Sequence, residues 1–241
     1  MSANDFVQGE GEMNAMITSS VVQSTQKSLS FTRMLLLCGA IAGPLFLFTL
    51  LVQDYTRPGF DPRFDMLSLL SLGAWGWVQI TNFVLVGVLN LLFAVGLWRG
   101  LHPGRAGTWG PILIGAYGLG LIVVGVFRTD PANGFPAGVL AATGPSWHGA
   151  IHALGALFVF VMLAAALVVF VRYFLAHKER GWASYCLVSA VLLLLCFFGS
   201  FMDATFTARL LRLGVFVGWM AASLIAIKLF NTLHQPEHMR N

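Results

Sequence analysis

His148 and His152 stand four residues apart in the stretch TGPSWHGAIH, where a turn gives way to a strongly apolar run. That spacing places both imidazoles on one face of a helix. Pro145 suits a first helical turn and Trp147 a membrane interface. Neutral imidazole nitrogen and carboxylate oxygen are both zinc ligands, and a zinc ion with an open position activates water. A divalent metal such as zinc is therefore one cofactor that His148 and His152 can serve, with Asp203 as the third ligand, and the chemistry would be hydrolysis. Imidazole is poorly suited to hydrocarbon, so the pair is expected to face other helices or a wet cavity.

More charged groups come with these. Arg57, Asp61 and Asp65 lie in QDYTRPGFDPRFDMLSLLSLGAWGW, Arg128 and Asp130 in FRTDPANGFP, and Asp203 and Arg209 flank a short turn near the last apolar run. Arginine presents a planar fork that matches phosphate, so this set reads as a binding site for a membrane lipid headgroup or a small amphipathic ligand. The competing reading is that the alternating charges of the first stretch pair with one another.

The elements that must position these groups follow from composition. The 241 residues are 57% hydrophobic and only 10% charged, with 20 Phe and 26 Gly, far from the usage of soluble domains. Apolar runs of about 20 residues span a hydrocarbon core roughly 30 Å thick, and in lipid each must be helical to satisfy its own backbone. Six such runs are read: Met34 to Val52, Trp77 to Trp98, Trp109 to Phe127, Ser146 to Val171, Trp182 to Met202, and one from Arg209 to Phe230. The expected fold is all-α, a six-helix transmembrane bundle over residues 31–233, with a flexible N-terminal tail at 1–30 and a C-terminal tail at 234–241. The LSLLSL segment before Trp75 is expected to be re-entrant or interfacial.

Of 14 Lys and Arg, five (Arg57, Arg63, Arg128, Arg209 and Arg212) fall on one side of the expected bundle and nine on the other. By the positive-inside rule both termini and the loops at Arg99 to Thr108 and His177 to Gly181 are cytoplasmic, in a bacterial-type inner membrane. The net charge of +4 is thus topological, and nucleic acid is not an expected partner. The histidines, carboxylates and outer arginines then share the extracytoplasmic end. Gln79, Asn82 and Asn90 give the second run a polar face that suits helix-helix hydrogen bonding. A small-residue step from Ala116 to Gly120 suits close packing of a central third helix. Polar faces on the second, fourth and fifth runs leave small-molecule transport as another class, although none is interrupted at mid-membrane depth. Cys38, Cys186 and Cys196 lie within apolar runs, so no disulfide is expected.

RPGFDPRFDMLSLLSLGAWGWVQITNF, VFRTDP and SWHGAIHALGALFVF resemble the domain of unknown function 998 family of prokaryotic membrane proteins, over roughly Leu35 to Phe230. The resemblance implies a six-helix bundle and no particular activity. That family is similar to the group containing GPI-anchor lipid remodelling factors, which implies lipid handling by analogy alone. Ceramidase-like membrane hydrolases also use Ser, Asp and an HxxxH pair, and HGAIH matches that spacing. The chain departs from their pattern in having no third outer His.

Overall fold

The computed structural model describes residues 3–140, 144–202 and 206–232. Six helices follow one another: α1 (Ala3–Thr56), α2 (Gly76–Leu101), α3 (Arg105–Val126), α4 (Trp147–Ala176), α5 (Arg180–Gly199) and α6 (Thr207–Thr232). All six are long and apolar enough to cross a membrane, the membrane-spanning part of α1 being Gln26–Thr56. The chain is a multipass membrane protein. The helix begins at Ala3, ahead of this span.

Each helix packs on its neighbours in sequence, and α6 returns to α1, so the six form a closed ring. The expectation of a central third helix is corrected by this arrangement: α3 is one wall, between α2 and α4. Its glycines serve that wall. Gly87 of α2 and Gly118 of α3 lie against each other's backbone, where a Cβ on either would meet the facing carbonyl. Small residues let backbones approach where lipid removes the hydrophobic drive for helix association. The outer face of the ring is exposed and apolar on every helix, with Phe48, Leu85, Leu119, Leu154, Leu195 and Phe216 pointing outward.

The two loops that carry most of the chemistry, residues 57–75 and 127–146, lie at one end of the ring with the α5–α6 turn. We call this the distal end, opposite the C-terminus of α6. Between α1 and α2 the apolar LSLLSL segment forms a short 3-10 helix, Leu67–Ser71, whose Leu67, Leu69 and Leu70 are buried. It lies across the distal opening of the ring. The second loop packs on the first through the edge-on rings of Phe60 and Phe135, 5.3 Å between centroids, and through Asn133 Nδ2 donating to Phe64 O.

Candidate functional site

Helix α4 begins at a compact polar junction with the end of α3. Ser146 is the N-cap: its Oγ accepts the Gly149 N–H at 3.0 Å, satisfying one of the donors that a helix start leaves open. The same hydroxyl donates to Asp130 Oδ1 at 2.5 Å, and the Ser146 N–H donates to Oδ2 at 2.9 Å. Asp130 thus holds the first turn from outside, where the positive end of the helix dipole favours a carboxylate. The Ser146 hydroxyl, then its amide, hold the Asp130 carboxyl below the usual carboxylate range. Gly149 makes the arrangement possible, because a Cβ there would overlap the Asp130 carboxylate.

Both histidines reach back to the exposed end of α3. His148 Nδ1 lies 3.1 Å from Arg128 O, 2.9 Å from Ser146 Oγ and 3.9 Å from Asp130 Oδ1. His152, one turn deeper and buried, has Nδ1 at 3.0 Å from Val124 O and 2.8 Å from Phe127 O. Carbonyl oxygens only accept, so the His152 Nδ1 carries a proton, and in the neutral ring Nε2 keeps its lone pair. These carbonyls belong to the last turn of α3 and the residue after it, which lack helical partners. The HxxxH spacing therefore docks α4 onto the end of α3.

The first loop is held by separate charges. Arg57 is buried and its Nη2 donates to Leu70 O at 3.2 Å and Leu72 O at 2.5 Å, fixing the short helix over the ring; burial lowers its pKa. Arg212 of α6 pairs with Asp54 of α1 and donates to the carbonyls of Pro62 and Asp65. Asp61 and Arg63 form an exposed pair at 2.7 Å, and the Arg63 hydrogen bonds hold the Asp61 carboxyl down to about 2. Buried Asp65 accepts the Asp61 N–H at 2.8 Å. Arg209 is exposed, its guanidinium over the rings of Phe64 and Phe206.

Inside the ring, beneath the Leu67–Ser71 helix, lies a cavity of about 310 Å³ lined from all six helices. Its aromatic wall includes Phe46, Tyr117 and Trp219, with Phe46 stacked on Trp219 at 5.0 Å and Tyr117 edge-on to Trp219 at 5.5 Å. These residues lie mid-helix and form a floor near the middle of the bundle. Ser68, Thr129 and His152 line the cavity toward the distal end. Among the described residues lining it there is no Lys, Arg, Asp or Glu.

Residues 40–228 match the family model described as Protein of unknown function (DUF998). The chain belongs to this family. No curated protein and no solved structure matches it.

In this DUF998 chain the residues singled out from sequence fall into two groups. Asp130, His148 and His152 meet at the α3–α4 junction with the Arg128 carbonyl, while Arg57, Asp61, Asp65 and Arg209 belong to the first loop and its contacts. Asp203 lies outside the described residues. No group of three His, Cys, Asp or Glu among the described residues could hold a metal ion. The Asp130 carboxylate accepts hydrogen bonds from Ser146 and none from a histidine, and the Ser146 hydroxyl, which caps the helix and donates to Asp130, also lies 2.9 Å from His148 Nδ1. Gln79 does bond across helices, accepting from Gln53 at 2.7 Å, and Asn82 donates to Phe46 O, whereas Asn90 bonds back within its own helix to Val86 O. Cys186, Ser189 and Cys196 lie on the buried face of α5, and the three cysteines are free.

Sequence reasoning gave no role to Ser146, did not find the partner of Asp54, and allowed for a cavity beside the histidines without its lining. The Ser-x-x-Gly step after Pro145 was the available signal for a capped start. The cavity carries no local signature, because its walls are ordinary apolar helix positions brought together by ring closure.

Proposed function

We propose that this family member binds one lipid-like molecule from the membrane in the cavity inside its helix ring, with the polar end of the ligand at the distal mouth. The observation that carries the reading is the cavity: enclosed by six helices, walled by aromatic and aliphatic side chains, with polar side chains at its distal end. Ligand sites have this character, mostly apolar with a few placed polar groups. The distal end faces away from the cytoplasm of a cell membrane, a reading supported by the five-to-nine distribution of Lys and Arg between the two ends.

The test is lipid retention. Native mass spectrometry of the purified full chain should find a bound lipid that is lost in Ala156→Phe, which places a ring in the cavity at a lining position. Equal retention by the filled variant, or no lipid on either protein after incubation with a total lipid extract, overturns the reading. Sidedness is checked at exposed Leu140: in a variant lacking Cys38, Cys186 and Cys196, Leu140→Cys should react with an impermeant maleimide added outside intact cells. Labelling only after lysis reverses the assignment.

A further inference from the structure

The chemistry of the bound head group can be narrowed, resting on the reading that the cavity holds a lipid. The two carbonyls at the end of α3 accept from the His152 Nδ1–H, so in the neutral ring, the form that places no charge in the apolar wall, Nε2 is a hydrogen-bond acceptor and no donor. The ring lines the cavity at its distal end, and no hydrogen bond to Nε2 is made by the described residues. Ser68, Thr129 and Tyr117, also in the wall, have hydroxyls that both donate and accept, so they do not discriminate between ligand chemistries, and the donor-only indole of Trp219 belongs to the floor rather than the distal end.

Charge narrows the choice further. A carboxylate or phosphate in a cavity with no lining cation would be desolvated without a counter-ion. Arg212 is paired with Asp54 and Arg63 with Asp61, Arg209 lies exposed over Phe64 and Phe206, and Arg57, whose Nη2 donates to the Leu70 and Leu72 carbonyls, does not line the cavity. An anionic head is thus disfavoured inside, and a neutral head that donates a hydrogen bond is matched. The volume of about 310 Å³ lies at the small end of ligand pockets, roughly 300 to 1,000 Å³, which suits one chain rather than two.

We infer that the cavity takes a single-chain neutral lipid alcohol, its hydroxyl donating to Nε2 of His152 and its chain lying against Phe46, Tyr117 and Trp219.

The experiment measures binding of three probes of equal chain length to the full-length protein in detergent: a long-chain primary alcohol, its methyl ether, and the corresponding fatty acid at pH 8. The alcohol should bind about tenfold tighter than the ether, the worth of one hydrogen bond, and tighter than the ionised acid. The ether keeps an acceptor and loses only the donor. His152→Phe keeps a ring of similar bulk without the acceptor, and there alcohol and ether should bind alike. Because the alcohol-to-ether comparison is made on the wild-type protein, it stands even where His152→Phe does not fold. Equal binding of alcohol and ether to the wild type, or an acid that binds as tightly as the alcohol, overturns the inference. If Ala156→Phe still abolishes binding of both probes in that case, the lipid-binding reading survives; if no probe binds and Ala156→Phe changes nothing, that reading falls as well.

Discussion

Arg212 at the start of α6 holds Asp54 near the end of α1 at 2.6 Å, and this pair joins the first and last helices at the distal end of the ring. The same guanidinium donates to Pro62 O at 2.9 Å and Asp65 O at 3.3 Å. One side chain therefore closes the ring and ties down the loop above it. Farther along the same seam, Ser223 Oγ of α6 donates to Gly39 O of α1 at 3.2 Å.

Breaking the pair should cost more than its net worth. Both side chains are largely buried, 17% and 12% exposed, so Asp54→Ala leaves a guanidinium without its counter-charge and is expected to destabilise by about 3 kcal/mol. Arg212→Met should do at least as much, since it also frees two carbonyls. The double variant should lose clearly less than the sum of the two single losses. Denaturant unfolding in mixed micelles measures all three, and strict additivity would show that the pair is not coupled.

Acid should act at the other anchor. The Asp130 carboxyl titrates below its unfolded value in the folded protein, because Ser146 donates to the ionised form twice. A depressed pKa contributes stability that is fully present above the unfolded carboxylate value of about 3.9 and is lost as pH falls through the folded value. Asp130→Asn should therefore melt below wild type at pH 7, by the equivalent of about 1.5 kcal/mol for a partly exposed charged hydrogen bond. The gap should close as the pH falls below about 4. A gap of constant size from neutral pH into acid would mean that the charge of Asp130 contributes nothing.

How far these features were legible depended on whether they were local. The six spans were, because a run of about 20 apolar residues is a strong signal, and Trp77, Trp109 and Trp182 each lie within a few residues of a helix start. The Leu67–Ser71 segment was legible as an apolar piece too short to span. The partners of individual side chains were not. Arg57 was read with the carboxylates of its own loop and instead donates to backbone carbonyls, a bond that no sequence pattern marks. Asp54 and Arg212 are 158 residues apart, so only ring closure brings them together. His148 and His152 were correctly placed on one face, but what that face meets is the carbonyl end of α3, which spacing alone does not reveal.

Gly149 offers the sharpest test of how that face is built. Replacing a helical glycine by alanine ordinarily stabilises by up to about 1 kcal/mol, because the chain loses less backbone freedom on folding. Here the added Cβ would overlap the Asp130 carboxylate, which is held in place by two hydrogen bonds from Ser146. Gly149→Ala must therefore push the carboxylate off the helix start and lose the anchor, so the helix gain is outweighed and the net effect is expected to be a loss of about 1 kcal/mol. The sign should reverse once the obstacle is gone. In an Asp130→Ala background the same substitution meets no carboxylate, and Gly149→Ala should then be neutral or stabilising. Melting curves of the four proteins give the answer directly. If Gly149→Ala destabilises equally with and without Asp130, the glycine is needed for some other contact and the carboxylate is not what sits against it.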